Sequence, residues 1–378
     1  MSDDFKKKLE AYEKGELPPG ELEEFEKELE KLEHYQSFLE EKDEGIKEVG
    51  FNDRQQRTMI KRGKWKARIQ TALFALAMIL LVTIGSSVLT AVYYSWGTPD
   101  RVDVYRNVID YTLTVTDPYG ELGGTSTNAG PFFNLTATRD LRKKVGHQSK
   151  KVGELEVNFL FSKMGFPIRE NYGNKVNNRP IFYYPRAQDP MVSDWKMLDQ
   201  LPKGTVVSAY VSLSELMDTE EIFDVVDGKD FDLSWFVVDT GLETDTERYV
   251  EPIGFPNTPI WHDDDMILGS REVEKGILGS KIISESHSSP VYEEGDTDML
   301  HEQFLKTLYF LKAHESKANQ LVFDPLELEE RIQFLEDNGI QHYGIVITGP
   351  TKEILKLEQA AWVGTIEVDE VSFWNWHQ

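Results

Sequence analysis

The sequence predicts a chain in three parts: an α-helical segment on the cytoplasmic side of a membrane, a single transmembrane helix, and an extracytoplasmic α+β domain with ferredoxin-like halves. Three observations carry that reading. KRGKWKARIQTALFALAMILLVTIGSSVLTAVYYSW, residues 61–96, passes from basic to uncharged to aromatic within one helix length. Mostly charged, helix-forming sequence precedes it. More than 280 residues follow it, in which strand-like and helix-like periods alternate.

Residues 1–53 form the first part, with 8 Lys and Arg against 18 Asp and Glu. MSDDFKKKLEAYEKG sets Phe5, Leu9 and Tyr12 on one helical stripe, with Ser2 or Asp3 as a cap and Gly15 as the stop. Pro18-Pro19 opens a second helix, since proline is tolerated in a first turn. In that helix Leu22, Phe25, Leu29, Leu32, Tyr35 and Leu39 recur at spacings of three and four among Glu and Lys. So few residues bury little apolar surface alone. The stripe therefore either packs on itself or a second copy, or offers a face to a folded partner.

Residues 54–68 carry Arg54, Arg57, Lys61, Arg62, Lys64, Lys66 and Arg68 with no acid, a juxtamembrane flank of +7. From Ile69 to Tyr94 there are 26 residues without Asp, Glu, Lys, Arg or His. At 1.5 Å per residue that is about 39 Å of helix, more than a hydrocarbon core of about 30 Å requires. Basic flanks stay inside, which places the N-terminus in the cytoplasm and the C-terminal domain outside. Trp65 anchors the inner interface, and Tyr93, Tyr94 and Trp96 form the outer aromatic belt.

The outer part divides at about residue 200. In residues 95–200, Tyr111–Thr116 and Val157–Phe161 read as strands among Gly- and Asn-rich connections. In residues 201–378, Thr205–Ser212 alternates as a strand, Ser214–Val226 reads as a helix and Leu233–Val238 as a strand. A loop-rich stretch over 240–298 and helices over 299–317 and 325–338 come next. Tyr343–Thr348 then reads as a strand, Pro350–Ala360 as a helix and Ile366–Trp374 as a strand. Two β-α-β halves with helices between them make an α+β layer.

Charge and composition exclude several functions. Residues 95–378 hold 26 Lys and Arg against 48 Asp and Glu, the wrong sign for direct contact with nucleic acid. The chain has no cysteine, so neither a disulfide framework nor a thiolate metal site can form. No nucleophile elbow, P-loop or dinucleotide fingerprint appears, and Ser286-His287-Ser288 makes no catalytic set, so neither a catalytic residue nor a cofactor is assigned. WHDDDM clusters His262 with Asp263, Asp264 and Asp265, but successive residues point apart; it reads as a solvated loop rather than a metal site. TGPTKE places Gly349, Pro350, Thr351 and Lys352 at a strand-to-helix turn that is either an ordinary cap or an anion site. In VSFWNW, Val371 and Phe373 share one strand face and Trp374 the other. That pattern reads as a strand buried on both sides, with Trp374 and Trp376 as the alternative aromatic platform.

Two resemblances follow from these segments. AYEKGELPPGELEEFEKELEKLEHY resembles the start of anti-sigma domains, with Tyr12, Gly15 and Leu17 matching. Glu28, Leu32 and Tyr35 stand where zinc-binding members place His, Cys and Cys. The resemblance thus implies a zinc-free version held by Leu32 and Tyr35 packing. LPKGTVVSAYVSLSELM, HYGIVITGPTKEILKL and EVSFWNW resemble the sigma factor regulator domain pair of Firmicute anti-sigma factors, and the group that restrains sigma-M type sigma factors in particular. This implies that residues Phe5 to Leu39 of the stripe bind an extracytoplasmic-function sigma factor at the inner membrane face. The outer domain, alone or with a second small membrane protein, would report envelope conditions. The alternative is a single-pass envelope-assembly protein whose cytoplasmic helices only dimerise.

Overall fold

The computed structural model describes residues 3–44, 53–120, 122–172, 180–185, 193–244, 249–275 and 281–374. Trp376 lies outside the described residues. The chain divides into two compact units, Met1–Leu80 and Leu81–Gln378.

In the first unit α1 spans Asp3–Glu13 and α2 spans Pro19–Glu44. Gly15 at φ 68° ends the first helix, where its N–H donates to the Tyr12 carbonyl at 3.1 Å. Pro18 caps the second, its carbonyl accepting from Glu21 and Leu22 N–H at 2.9 and 3.0 Å. α3 runs unbroken from Asp53 to Tyr94, about 63 Å at 1.5 Å per residue. It is the one helix among the described residues long and apolar enough to cross a membrane, and none of its most apolar window is buried.

In the second unit α3 ends against a small β-layer. α4, Arg101–Thr116, starts at Asp100, whose side chain accepts from Asp103 N–H. β1 (Ser126–Ala129), β2 (Asn134–Val145), β3 (Gln148–Leu160), β4 (Lys163–Met164) and β5 (Ile168–Asn171) form an antiparallel sheet. β2 and β3 make a long hairpin, paired from Asn134↔Leu160 at one end to Val145↔Gln148 at the other.

The second sheet is built from β6 (Thr205–Met217), β7 (Asp232–Val238), β8 (Gly254–Pro256), β11 (His342–Pro350) and β12 (Val363–Phe373). Its order is β12-β6-β11-β7-β8, with every neighbour antiparallel. With β6, β7, β11 and β12 counted as first to fourth, the order is 4-1-3-2. That is the ferredoxin-like arrangement of two β-α-β halves. α6 (Thr219–Val226) links the first pair. α10 (Thr351–Leu355) and a 3-10 turn (Lys356–Gln359) link the second. Between the halves lie β9 (Ile267–Lys275), β10 (Lys281–Ser288), α7 (Thr297–Ala313), α8 (Glu315–Ala318) and α9 (Leu328–Asn338); α5 (Trp195–Gln200) precedes them all.

One face of this sheet, with Val211, Phe236 and Ile345, packs on Phe304 and Leu308 of α7 and Ile332 of α9. The other face carries Tyr210, Trp235 and Tyr343. The β2–β3 hairpin meets that face through a buried ion pair. Lys143 Nζ donates to both Asp369 carboxylate oxygens at 2.8 and 2.7 Å and lies 4.7 Å from the Tyr119 ring centroid. Beside it the Gly146 N–H donates to Thr348 Oγ1 at 2.5 Å.

Several expectations are corrected. Tyr111–Thr116 is not a strand but the buried last third of α4. β6 continues through Leu213 and Met217, which pair with Val363 and His342, so the helix read from Ser214 begins only at Thr219. The stretch over 240–298 holds β8 and the β9–β10 hairpin. The end of β12 is not buried on both sides, since Phe373 is 73% exposed. The WHDDDM segment is solvated only at Asp263 and Asp264, which are exposed. His262 is buried, with Nε2 2.9 Å from Thr307 Oγ1, and Lys306 Nζ donates to Asp264 and Asp265 at 2.9 and 2.6 Å.

Candidate functional site

The stripe on α1 and α2 divides at Leu29. Phe25 is 2% exposed and sits between the rings of Phe5 and Tyr12, each centroid 5.5 Å away. Phe5, Leu9, Tyr12, Leu22 and Leu29 are half-buried around it. These six residues are the core of an α1–α2 hairpin, and burying Phe25 contributes roughly 1.5–3 kcal/mol to it.

Beyond Leu29 the stripe continues without cover. Leu32, Tyr35, Phe38 and Leu39 are 43%, 70%, 59% and 60% exposed. At about 100° per residue they occupy an arc of about 120° on α2. The expectation that Leu32 and Tyr35 hold the domain together is therefore corrected: Phe25, Phe5 and Tyr12 do so. Phe38 also fits the count, three residues after Tyr35, but the stripe read from Tyr35 to Leu39 passes over it. α2 has eleven acidic residues against three basic ones, so this apolar arc is framed by negative charge.

In the second unit the structure brings Pro350, Thr351, Lys352 and Trp374 together. They line a cavity of about 520 Å³ with Lys203, Asp230 and Glu353. The Thr351 hydroxyl donates to the Thr205 carbonyl at 3.1 Å, and the Trp374 N–H donates to the Gly204 carbonyl at 2.7 Å. Gly349 stands apart from this cavity. A Cβ there would lie 2.5 Å from the Phe231 Cβ, so its glycine serves close packing. α10 has only five residues and its Pro350 cap makes no side-chain hydrogen bond. It offers a short turn rather than a long helix terminus for an anion. Among the described residues no group of three His, Asp or Glu is placed to hold a metal ion.

Comparison with known families identifies both halves of this layout. The model for the sigma factor regulator N-terminal region matches residues 57–150, across α3 and into the first sheet of the second unit. The model for the sigma factor regulator C-terminal region matches residues 198–370, from α5 through β12. The chain belongs to the sigma factor regulator family. The regulator is also 26% identical over 385 residues to the protein named probable anti-sigma-M factor YhdL of Bacillus subtilis (strain 168), with 100% of each chain covered. No solved structure matches it. The exposed arc of the regulator, residues 32–39, precedes both matched regions.

Proposed function

We propose that this sigma factor regulator, a membrane anti-sigma factor, holds an extracytoplasmic-function sigma factor of the sigma-M type at the inner membrane face. The cytoplasmic α1–α2 hairpin supplies the binding surface, the single span of α3 tethers the complex, and the extracytoplasmic domain adjusts the hold. The observation that carries this reading is the uncovered arc of Leu32, Tyr35, Phe38 and Leu39. Four large apolar side chains on a helix whose core is already closed by Phe25 fit a partner's groove. The acidic frame suits a partner with basic residues around that groove. The role is regulatory rather than catalytic. The envelope-assembly alternative is disfavoured by the family and the full-length relative, both of which concern sigma factors.

Deleting residues 1–50 tests the reading. Constitutive expression of one sigma factor's regulon, with the truncated chain still in the membrane, is the expected result. A cell-wall defect with silent transcription would overturn it in favour of envelope assembly.

A further inference from the structure

The outer end of α3 is clasped by two loop tips whose conformation is unusual. Phe132, Phe133 and Phe161 have φ values of 62°, 58° and 54°, a left-handed region that bulky side chains rarely adopt. Phe132 and Phe133 belong to the β1–β2 connection, and Phe161 to the tight β3–β4 turn. The backbone is held there from the helix. Ser86 Oγ accepts from the Phe132 N–H at 2.6 Å, and Thr90 Oγ1 accepts from the Phe133 N–H at 2.9 Å. The Tyr94 hydroxyl lies 2.9 Å from the Phe133 carbonyl and 3.1 Å from the Phe161 carbonyl. The Phe133 and Phe161 rings stack at 4.3 Å, while Phe132 and Phe161 remain 55% and 44% exposed.

These hydrogen bonds fix the depth of the tips. Ile69 to Gly85 is 17 residues, about 26 Å of helix, so the uncharged run has not quite crossed a hydrocarbon core of about 30 Å when it reaches Ser86. On the helix face away from the loops, Val88, Leu89 and Val92 are 59%, 58% and 52% exposed. An apolar face at that height needs lipid beside it. Lipid that reaches Val92 extends about 9 Å beyond Ser86, the level at which Phe132 is tied.

We propose that Phe132 and Phe161 are inserted in the outer-leaflet lipid, at the boundary of headgroups and acyl chains, so that the outer domain grips the bilayer as well as the helix. The proposal rests on α3 spanning the membrane. It accounts for phenylalanine at positions where glycine or asparagine would relieve the backbone. Phenylalanine is among the apolar side chains that interfacial segments bury at that boundary.

The chain has no cysteine, so one introduced thiol takes a nitroxide label uniquely. Full-length chains carrying Leu76→Cys, Phe132→Cys, Ser162→Cys or Ser149→Cys would be placed in vesicles of phosphatidylethanolamine and phosphatidylglycerol. Collisions with oxygen, which partitions into lipid, are compared with those of a water-soluble nickel chelate. Ser149 lies near the closed end of the β2–β3 hairpin, about 40 Å from the tips at 3.3 Å per residue. Oxygen should dominate at positions 76, 132 and 162, and nickel at 149. Ser162→Cys keeps both phenylalanines, so a loop disturbed at 132 does not decide the outcome. In a Phe132→Asn background, compatible with the backbone, the label at 162 should shift toward nickel. Nickel access at 132 and 162 equal to that at 149, with 76 still in lipid, overturns the insertion alone. Nickel access at 76 overturns the spanning helix and the insertion with it.

Discussion

His342 is wholly buried on β11, with Nδ1 3.2 Å from the Val237 carbonyl and Nε2 2.7 Å from Thr219 Oγ1. Thr219 also meets His301 Nε2 at 2.7 Å. The carbonyl requires the proton on Nδ1 of His342, so the Thr219 hydroxyl donates to His342 Nε2 and accepts from His301. The His342 ring, accepting at Nε2, is thereby neutral. Burial, with His301 close by, pushes the His342 imidazole down to about 3, and burial lowers His301, His262 and His314 as well. In the unfolded chain an imidazole protonates near 6.5, so between pH 6.5 and 3 the unfolded state binds more protons. Stability therefore falls as pH falls through that window and is level above about pH 7. At pH 5 the His342 contribution alone is about 2 kcal/mol. Thermal unfolding of the full chain in detergent should show a lower midpoint for the outer domain at pH 5 than at pH 7.5. His342→Gln should start lower at pH 7.5 and lose less on acidification. An unchanged pH slope in that variant would remove His342 as the cause.

Lys143 is the other residue with a large expected effect. Its ammonium is buried against Asp369 and over the Tyr119 and Tyr210 rings, and removing it leaves a buried carboxylate without its cation. Breaking a buried pair from one side costs about 3–5 kcal/mol, whereas apolar replacement of both partners costs far less. Lys143→Ala should lower the unfolding midpoint sharply, and Lys143→Met with Asp369→Leu should recover part of it. No recovery would mean the site depends on more than the unpaired charge.

At the level of elements, α2 separates hairpin folding from partner binding. Leu29→Ala removes a half-buried residue of the hairpin and should reduce helix content by circular dichroism as well as weaken sigma-factor capture. Leu32→Ala or Phe38→Ala should leave helix content unchanged and weaken capture by about 10- to 150-fold, the equivalent of roughly 1.5–3 kcal/mol per lost anchor. Equal affinity for Phe38→Ala and the native chain would sink the exposed arc as the contact. The stripe itself was legible from its three-and-four spacing. Its division was not, because spacing places residues on a face without saying which part of that face the short α1 covers.

The elements of the second unit show the same limit. YTLTVT carries β-branched and aromatic residues and reads as a strand, yet in α4 the Thr114 and Thr116 hydroxyls donate to the carbonyls of Asp110 and Thr112, both at 2.7 Å. That back-bonding satisfies the hydroxyls inside a helix, and burial overrides local propensity. The β9–β10 hairpin escaped notice for the opposite reason. Ile267, Leu268 and Val273 are exposed, so no burial alternation marks it. The two β-α-β halves were readable because their strands alternate against helices. Their 4-1-3-2 order depends on pairing between residues more than a hundred positions apart, as in Ile345↔Val211. In the outer cavity, Lys352 and Trp374 could be named from sequence, but not that β12 ends beside the β11–α10 turn.

Across the whole molecule, charge is distributed as the proposed orientation requires. Residues 1–53 sum to −10, the flank 54–68 to +7 and residues 95–378 to −22. Acidic segments contribute little to orientation, so in the proposed arrangement the seven basic residues next to the apolar run set which end stays inside. They lie on α3 itself, within about 24 Å of helix preceding Ile69, close enough to the membrane end to count. On the other side Arg101 is the near cation, and its guanidinium donates to the Tyr93 carbonyl at 2.8 Å and lies 4.5 Å from the Tyr93 ring centroid. A reporter active only in the cytoplasm should thus work when fused before Met1 and stay silent after Gln378. Replacing Lys61, Arg62, Lys64, Lys66 and Arg68 by glutamine should give a mixed population in which both fusions are partly active. Full activity after Gln378 in the native chain would invert the arrangement, placing the Leu32–Leu39 arc where no sigma factor can reach it. Wild-type orientation in the five-glutamine variant would mean instead that the folded outer domain, not the basic flank, sets the topology.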